Sequence, residues 1–176
     1  GALHGTRVDS VGHSISGGQP NLRPAHFLET QTKSRLMTES TGVALDVDLP
    51  EDLQQRKLAL CEERVAYKFQ DQDLLLGALT HASIAESRLA SNERLEFLGD
   101  AILGTVVCEY LYHTFPNFLE GDLTRIKSVV VSRNSCEKFS REMGLEDCLI
   151  VGKGMATNAD VPASLMADVF ESLAAA

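Results

Sequence analysis

A short run near the middle of the chain, Asn92-Glu93-Arg94-Leu95-Glu96-Phe97-Leu98-Gly99-Asp100-Ala101-Ile102-Leu103, limits the possible folds more than any other stretch. Leu95, Leu98, Ile102, Val106 and Leu111 recur at steps of three to five residues, which predicts an amphipathic helix running to about Tyr112. Ser91 and Asn92 are the natural N-cap residues, and Glu93 suits the positive end of the helix dipole. Glu93, Glu96 and Asp100 stand at i, i+3 and i+7, within about 60° of one another on the helix wheel. Acids stacked this way repel by a few tenths of a kcal/mol per pair, roughly. Gly99 costs about 1 kcal/mol more against alanine in a helix interior. A helix needs neither choice. A divalent cation would turn the repulsion into attraction, and the glycine would admit another backbone, a nucleic acid or a second subunit.

A chain of 176 residues suits one domain with an appendage. No apolar run approaches the roughly 18 residues of a membrane span, and no basic-then-apolar leader opens the sequence. Cys61, Cys108, Cys136 and Cys148 are scattered and form no C-x-x-C pair, so neither a zinc site nor a disulfide framework is expected. Buried free thiols in a reducing cytosol follow as the expectation. The net charge of −9 argues against strong nucleic-acid binding. Residues 51–176 hold 12 basic and 20 acidic side chains, so the acidity belongs to the part expected to fold.

Residues 1–50 show no sustained period and scatter Gly, Ser, Thr, Pro and Gln, which predicts disorder. Residues 1–36, ahead of Met37, read as an extension or a start-site artefact. A helix is expected from about Leu53 to Tyr67, with Leu58, Cys61 and Val65 on one stripe. Asp71 caps a short helix through Leu79, and Thr80-His81-Ala82-Ser83 follows, with His81 read as a hydrogen-bonded structural histidine. Glu120-Gly121-Asp122 begins another helix, with Leu123, Ile126, Val129 and Val130 expected inward. Asn134 to Met143 is a further helix, ended by Gly144. A loop spans 151–162, and a last helix runs from Ala163 to Ala176, where the chain is expected to stop mid-helix. Only Val129-Val130-Val131 could serve as a strand, and it fits a helix equally well. The fold class is all-α.

Asp168 and Glu171 lie three apart on the last helix and share a face. Two helices that each present a carboxylate pair can hold a hard cation, which prefers oxygen ligands and keeps several waters. For an isolated pair, the ordinary reading is two solvated acids.

The run Asn92 to Leu103 resembles the signature stretch of the ribonuclease III family, magnesium-dependent endonucleases that cut double-stranded RNA. Thr80-His81-Ala82-Ser83 and Ala167-Asp168-Val169-Phe170-Glu171-Ser172-Leu173 are similar to two further family elements in the same order. The resemblance covers about residues 51–176 and implies a catalytic domain built as a helical bundle that dimerises through the signature helix. It implies that Glu96, Asp100, Asp168 and Glu171 bind magnesium, with manganese as a substitute, and that Asp100 and Glu171 are catalytic. Glu93 and Glu120 match supporting acids near the cleft, with helix capping as the plain alternative for both. Phe97 matches an aromatic knob at a homodimer interface, against the alternative of an ordinary core phenylalanine. The partner implied is double-stranded RNA, cut to 5′-phosphate and 3′-hydroxyl ends during cytoplasmic processing of ribosomal and messenger precursors. The stretch Val161-Pro162-Ala163-Ser164 departs from the family in lacking an arginine, and the end Leu173-Ala174-Ala175-Ala176 is unusually alanine-rich. No double-stranded-RNA-binding domain follows, which reads as truncation. A non-catalytic RNA- or ribosome-binding module is the alternative, although such relatives typically lose carboxylates that are all present here. A di-iron bundle would need Glu-x-x-His pairs, and there are none.

Overall fold

The computed structural model describes residues 49–156 and 161–176. The expectations for residues 1–48, and for 157–160 of the predicted loop, lie outside the described residues. Helix α1 spans Glu51–Val65, α2 Gln72–Leu79, α3 Glu93–Thr114, α4 Glu120–Val130 and α5 Arg133–Glu142. A single turn, α6, covers Lys153–Ala156, and α7 covers Ala163–Ala175. Short 3-10 turns lie at Arg88–Ala90 and Leu145–Asp147. Among the described residues there is no strand, only a parallel bridge between Thr80 and Ile150, so the fold is all-α as expected. No described helix is long and apolar enough to cross a membrane.

Helix α7 is the hub, packing on α3, α5 and α2. It buries Leu165, Met166, Ala167, Val169, Glu171, Ser172 and Ala175. Leu165, Met166 and Val169 join Leu58 and Cys61 of α1, Leu75, Leu76 and Leu79 of α2, and Leu145, Cys148, Leu149 and Ile150 in one apolar core. Each large aliphatic side chain buried there stabilises by about 1.5–3 kcal/mol. Cys61 and Cys148 meet in this core as hydrogen-bonded free thiols.

Local signals set the helix ends. The Asp71 carboxylate accepts from the N–H groups of Asp73 and Leu74, the predicted cap of α2. Helix α1 stops at Ala66, whose φ of 52° is left-handed. The buried Glu62 carboxylate then holds the turn, accepting from Lys68 Nζ at 2.5 Å, Gln72 Nε2 at 3.0 Å and Phe69 N at 3.1 Å. Gly144, at φ 68°, ends α5 as expected. Thr80 is fully buried where the chain leaves α2. His81 N donates to Ile150 O, Ile150 N to Leu79 O and Asn92 N to Thr80 O, all at 2.9 Å, which fixes where α3 begins.

Four expectations need correcting. Most of the apolar stripe on α3 does not face inward: Gly99, Gly104 and, of the stripe, only Leu111 are buried, whereas Leu98 and Val106 are exposed. Helix α7 packs on the glycine side, where backbone rather than side chain is covered, and apolar periodicity does not register a glycine face. Nothing on α4 is buried, and Val129 is 64% exposed with Val130 beside it. That helix packs chiefly against α3, and its far side meets little else among the described residues. Finally, Cys108 is exposed, unlike the other three thiols. The Asn92 side chain makes no capping hydrogen bond either. Ser91 Oγ accepts from Glu93 N at a long 3.5 Å.

Candidate functional site

Helices α3 and α7 touch backbone to backbone. A Cβ on Gly99 would lie 1.7 Å from the carbonyl oxygen of Glu171. Of the roles open to this glycine, admitting another backbone is the one seen. Ser172 Oγ bonds to the Asp168 carbonyl at 2.7 Å and to the Asn92 carbonyl at 3.2 Å, tying α7 to the start of α3. Ser140 Oγ, fully buried on α5, donates to the Met166 carbonyl. These contacts turn Glu96 and Asp100 of α3 toward Asp168 and Glu171 of α7.

The result is a cleft of about 410 Å³ lined by Glu93, Glu96, Phe97, Asp100, Val131, Arg133 and Glu171. Asp168 adjoins it through Arg133. Burial pushes the Glu171 carboxyl above the usual carboxylate range, and the charges of Asp100, Glu96 and Asp168 push it further. Glu96 is raised by burial and then by Asp168, with Arg133 pulling the other way. Asp168 is raised by burial, with Arg133 and then His81 in opposition. The Cys136 thiol, facing Glu171, is pushed up to about 11, mainly by burial, and stays protonated. Burial and mutual repulsion therefore both disfavour the charged forms of Glu96 and Glu171.

Other predicted residues are placed differently. Glu93 lines the cleft, but its carboxylate is held by Arg88 at 2.5–3.2 Å, which keeps its pKa low. Glu120 is exposed in the first turn of α4, accepts from Thr124 Oγ1 at 2.8 Å, and does not line the cleft. Phe97 is 82% exposed at the cleft edge, which removes the core reading. The His81 ring bonds Ser83 through Nδ1 at 2.9 Å, as a structural histidine would.

Arg133 is a residue at the site that the sequence analysis did not single out. Its Nη2 lies 3.4 Å from Asp168 Oδ1 and 3.7 Å from Glu96 Oε1. No helical spacing links it to the acids, so periodicity could not have found it. Asp168 Oδ1 is itself buried and accepts no hydrogen bond. Oxygen-only donors and an orphaned carboxylate oxygen match a hard cation. As the side chains stand, no three His, Cys, Asp or Glu groups among the described residues converge tightly enough to ligate one ion. The donor chemistry fits, and closure around an ion is left to side-chain rotation.

Paired carboxylates on two helices, joined at a glycine and facing one cleft, define a helical domain built to gather negative charge. Its relatives identify it further. The ribonuclease-III-like family matches residues 71–176, and the chain belongs to the ribonuclease III family. Ribonuclease 3 of Rhodopirellula baltica is 58% identical over 120 residues, covering 68% of this chain and 45% of that protein. Ribonuclease 3 of Symbiobacterium thermophilum is 40% identical over 120 residues, covering 67% and 51%. The nuclease domain of ribonuclease III from Campylobacter jejuni shares the fold with a TM-score of 0.62 at 37% identity, covering 67% of this chain and 82% of that one. That structure is described for flexibility in its region of dimer formation. This chain spans about half the length of the curated relatives it matches. Enzymes of this family are generally metal-dependent.

Proposed function

We propose that this chain is the catalytic domain of a magnesium-dependent endoribonuclease that cuts double-stranded RNA as a two-fold homodimer. The observation that carries the reading is the backbone contact of Gly99 with Glu171, which sets two carboxylate pairs against one cleft. Glu96, Asp100, Asp168 and Glu171 would hold magnesium, or manganese in its place, with Asp100 and Glu171 nearest the chemistry. When bound, such an ion supplies activation of water at neutral pH and neutralisation of charge on the leaving oxygen. Helices α3 and α7 keep the carboxylates on a rigid frame, and burial excludes competing water from Glu171. Glu93, which lines the cleft, is the supporting acid, whereas Glu120 stands outside it. Phe97, exposed beside the cleft, enters the partner subunit.

The substrate is recognised by A-form shape, phosphates and 2′-hydroxyls more than by base sequence. A −8 balance over residues 51–176 means that this domain alone holds RNA weakly and that its binding is steeply salt-dependent. Products carry 5′-phosphate and 3′-hydroxyl ends, and the substrates are ribosomal and messenger precursors in the cytoplasm.

Cleavage of a long RNA duplex with magnesium, with EDTA, and by Glu171→Gln tests this. Second-shell partners of a metal cost about 10–100-fold when removed, so losing a direct ligand should cost at least ~100-fold in rate. EDTA-resistant cutting, or no cutting by a demonstrated dimer with magnesium at low salt, refutes the reading.

A further inference from the structure

Arg133 occupies an unusual position for a surface arginine. It opens α5, a helix that supplies none of the four acids, yet its guanidinium reaches between the other two helices. Nη2 stands 3.4 Å from Asp168 Oδ1 on α7 and 3.7 Å from Glu96 Oε1 on α3. Among the described residues lining the cleft it is the one cation. Neither approach is a close bidentate salt bridge, and Asp168 Oδ1 accepts no hydrogen bond. The Arg133 side chain is 58% exposed, so it can swing out without disturbing the core.

We propose that Arg133 is a built-in placeholder cation: it neutralises the Glu96–Asp168 pair in the ion-free state and is displaced when a divalent cation binds. This rests on the metal-centre reading above. Opposite charges stabilise a carboxylate cluster wherever they come from, so an internal guanidinium and a bound ion compete for the same oxygens. Arg133 thereby sets the ion affinity and keeps the two acid-bearing helices together before the ion arrives. It is a positioning residue, acting through the carboxylates.

The test is calorimetric titration of the chain with manganese or magnesium chloride, without RNA. Arg133→Gln should bind the ion about tenfold more tightly than the wild type, because a competing charge within ~4 Å has gone. Arg133→Lys, which keeps the charge, should stay close to wild type. Arg94→Gln removes an exposed charge from α3 and controls for bulk electrostatics, so its affinity should barely change. Equal or weaker binding by Arg133→Gln overturns the placeholder and leaves the nuclease reading standing. Tightening of the same size in Arg94→Gln or Arg133→Lys overturns it too. If no form binds either ion, the metal centre and the placeholder fall together.

Discussion

An alanine at position 99 would place its methyl carbon 1.7 Å from the Glu171 carbonyl oxygen, far inside any contact distance. Helix propensity alone predicts that Gly99→Ala stabilises α3 by about 1 kcal/mol. The clash predicts the opposite, since overpacking that moves backbone costs about 1–3 kcal/mol and sometimes more. The clash should win. Urea unfolding of Gly99→Ala should show net destabilisation of at least ~1 kcal/mol, and cleavage should drop as the carboxylate pairs separate. A stabilised variant would show that α3 and α7 do not meet there. The sequence marked Gly99 as costly and pointed to a close approach, and it paired the acids by helix face. It did not say which backbone came close, because the contact joins residues 72 positions apart by nothing but main chain. Arg133 was hidden for a related reason. A long side chain reaching from the next helix leaves no periodic trace.

At the scale of elements, the α1–α2 corner shows a carboxylate under opposite pressure from those in the cleft. Lys68 and Gln72, followed by the Phe69 N–H, hold Glu62 below its ordinary range. A carboxylate whose folded pKa is depressed stabilises the fold above its unfolded pKa, and that contribution fades as pH falls through the folded value. Glu62→Gln should therefore lower the unfolding midpoint at pH 7, and the gap from wild type should close as pH drops below about 4. Parallel melts at the two pH values check this; a gap that persists in acid would mean that shape, not charge, holds the corner. The cap at Asp71 and the stop at Gly144 were legible because each is a local signal with a fixed residue type. The inner face of α3 was not. Its stripe of Leu95, Leu98 and Ile102 looked like a core face, yet the core cluster contains no α3 residue. Apolar periodicity reports which side chains avoid water, not whether the same chain covers them.

At the scale of the molecule, that distinction bears on assembly. Phe97 at 82% exposure, Leu98, Val106, Val129 and Val130 are all left open in the single chain. Large exposed apolar residues of this kind mark interaction surfaces, and the proposed two-fold dimer would bury them symmetrically. Truncating a central aromatic anchor typically costs about 2 kcal/mol or more, and a two-fold dimer loses two of them, so Phe97→Ala should weaken self-association by about a thousandfold. Sedimentation across a concentration series would reveal it. Unchanged association would place the interface elsewhere. The misplacement of Val129 and Val130 in the sequence reading has the same origin: their periodicity is real, but no described residue of the chain covers them.

The Gly99 contact also shapes how this chain can change over generations. A clash with a side chain can be relieved by trimming that side chain, so most crowded positions have compensating substitutions elsewhere. Here the obstacle is a main-chain oxygen, and every residue at position 171 carries the same one. No single substitution at the contact can make room for a larger residue at 99. Lineages carrying this site are therefore expected to be locked at that position whatever their genetic background, while the acids around it, reached by rotatable side chains, have neighbours that can drift and adjust.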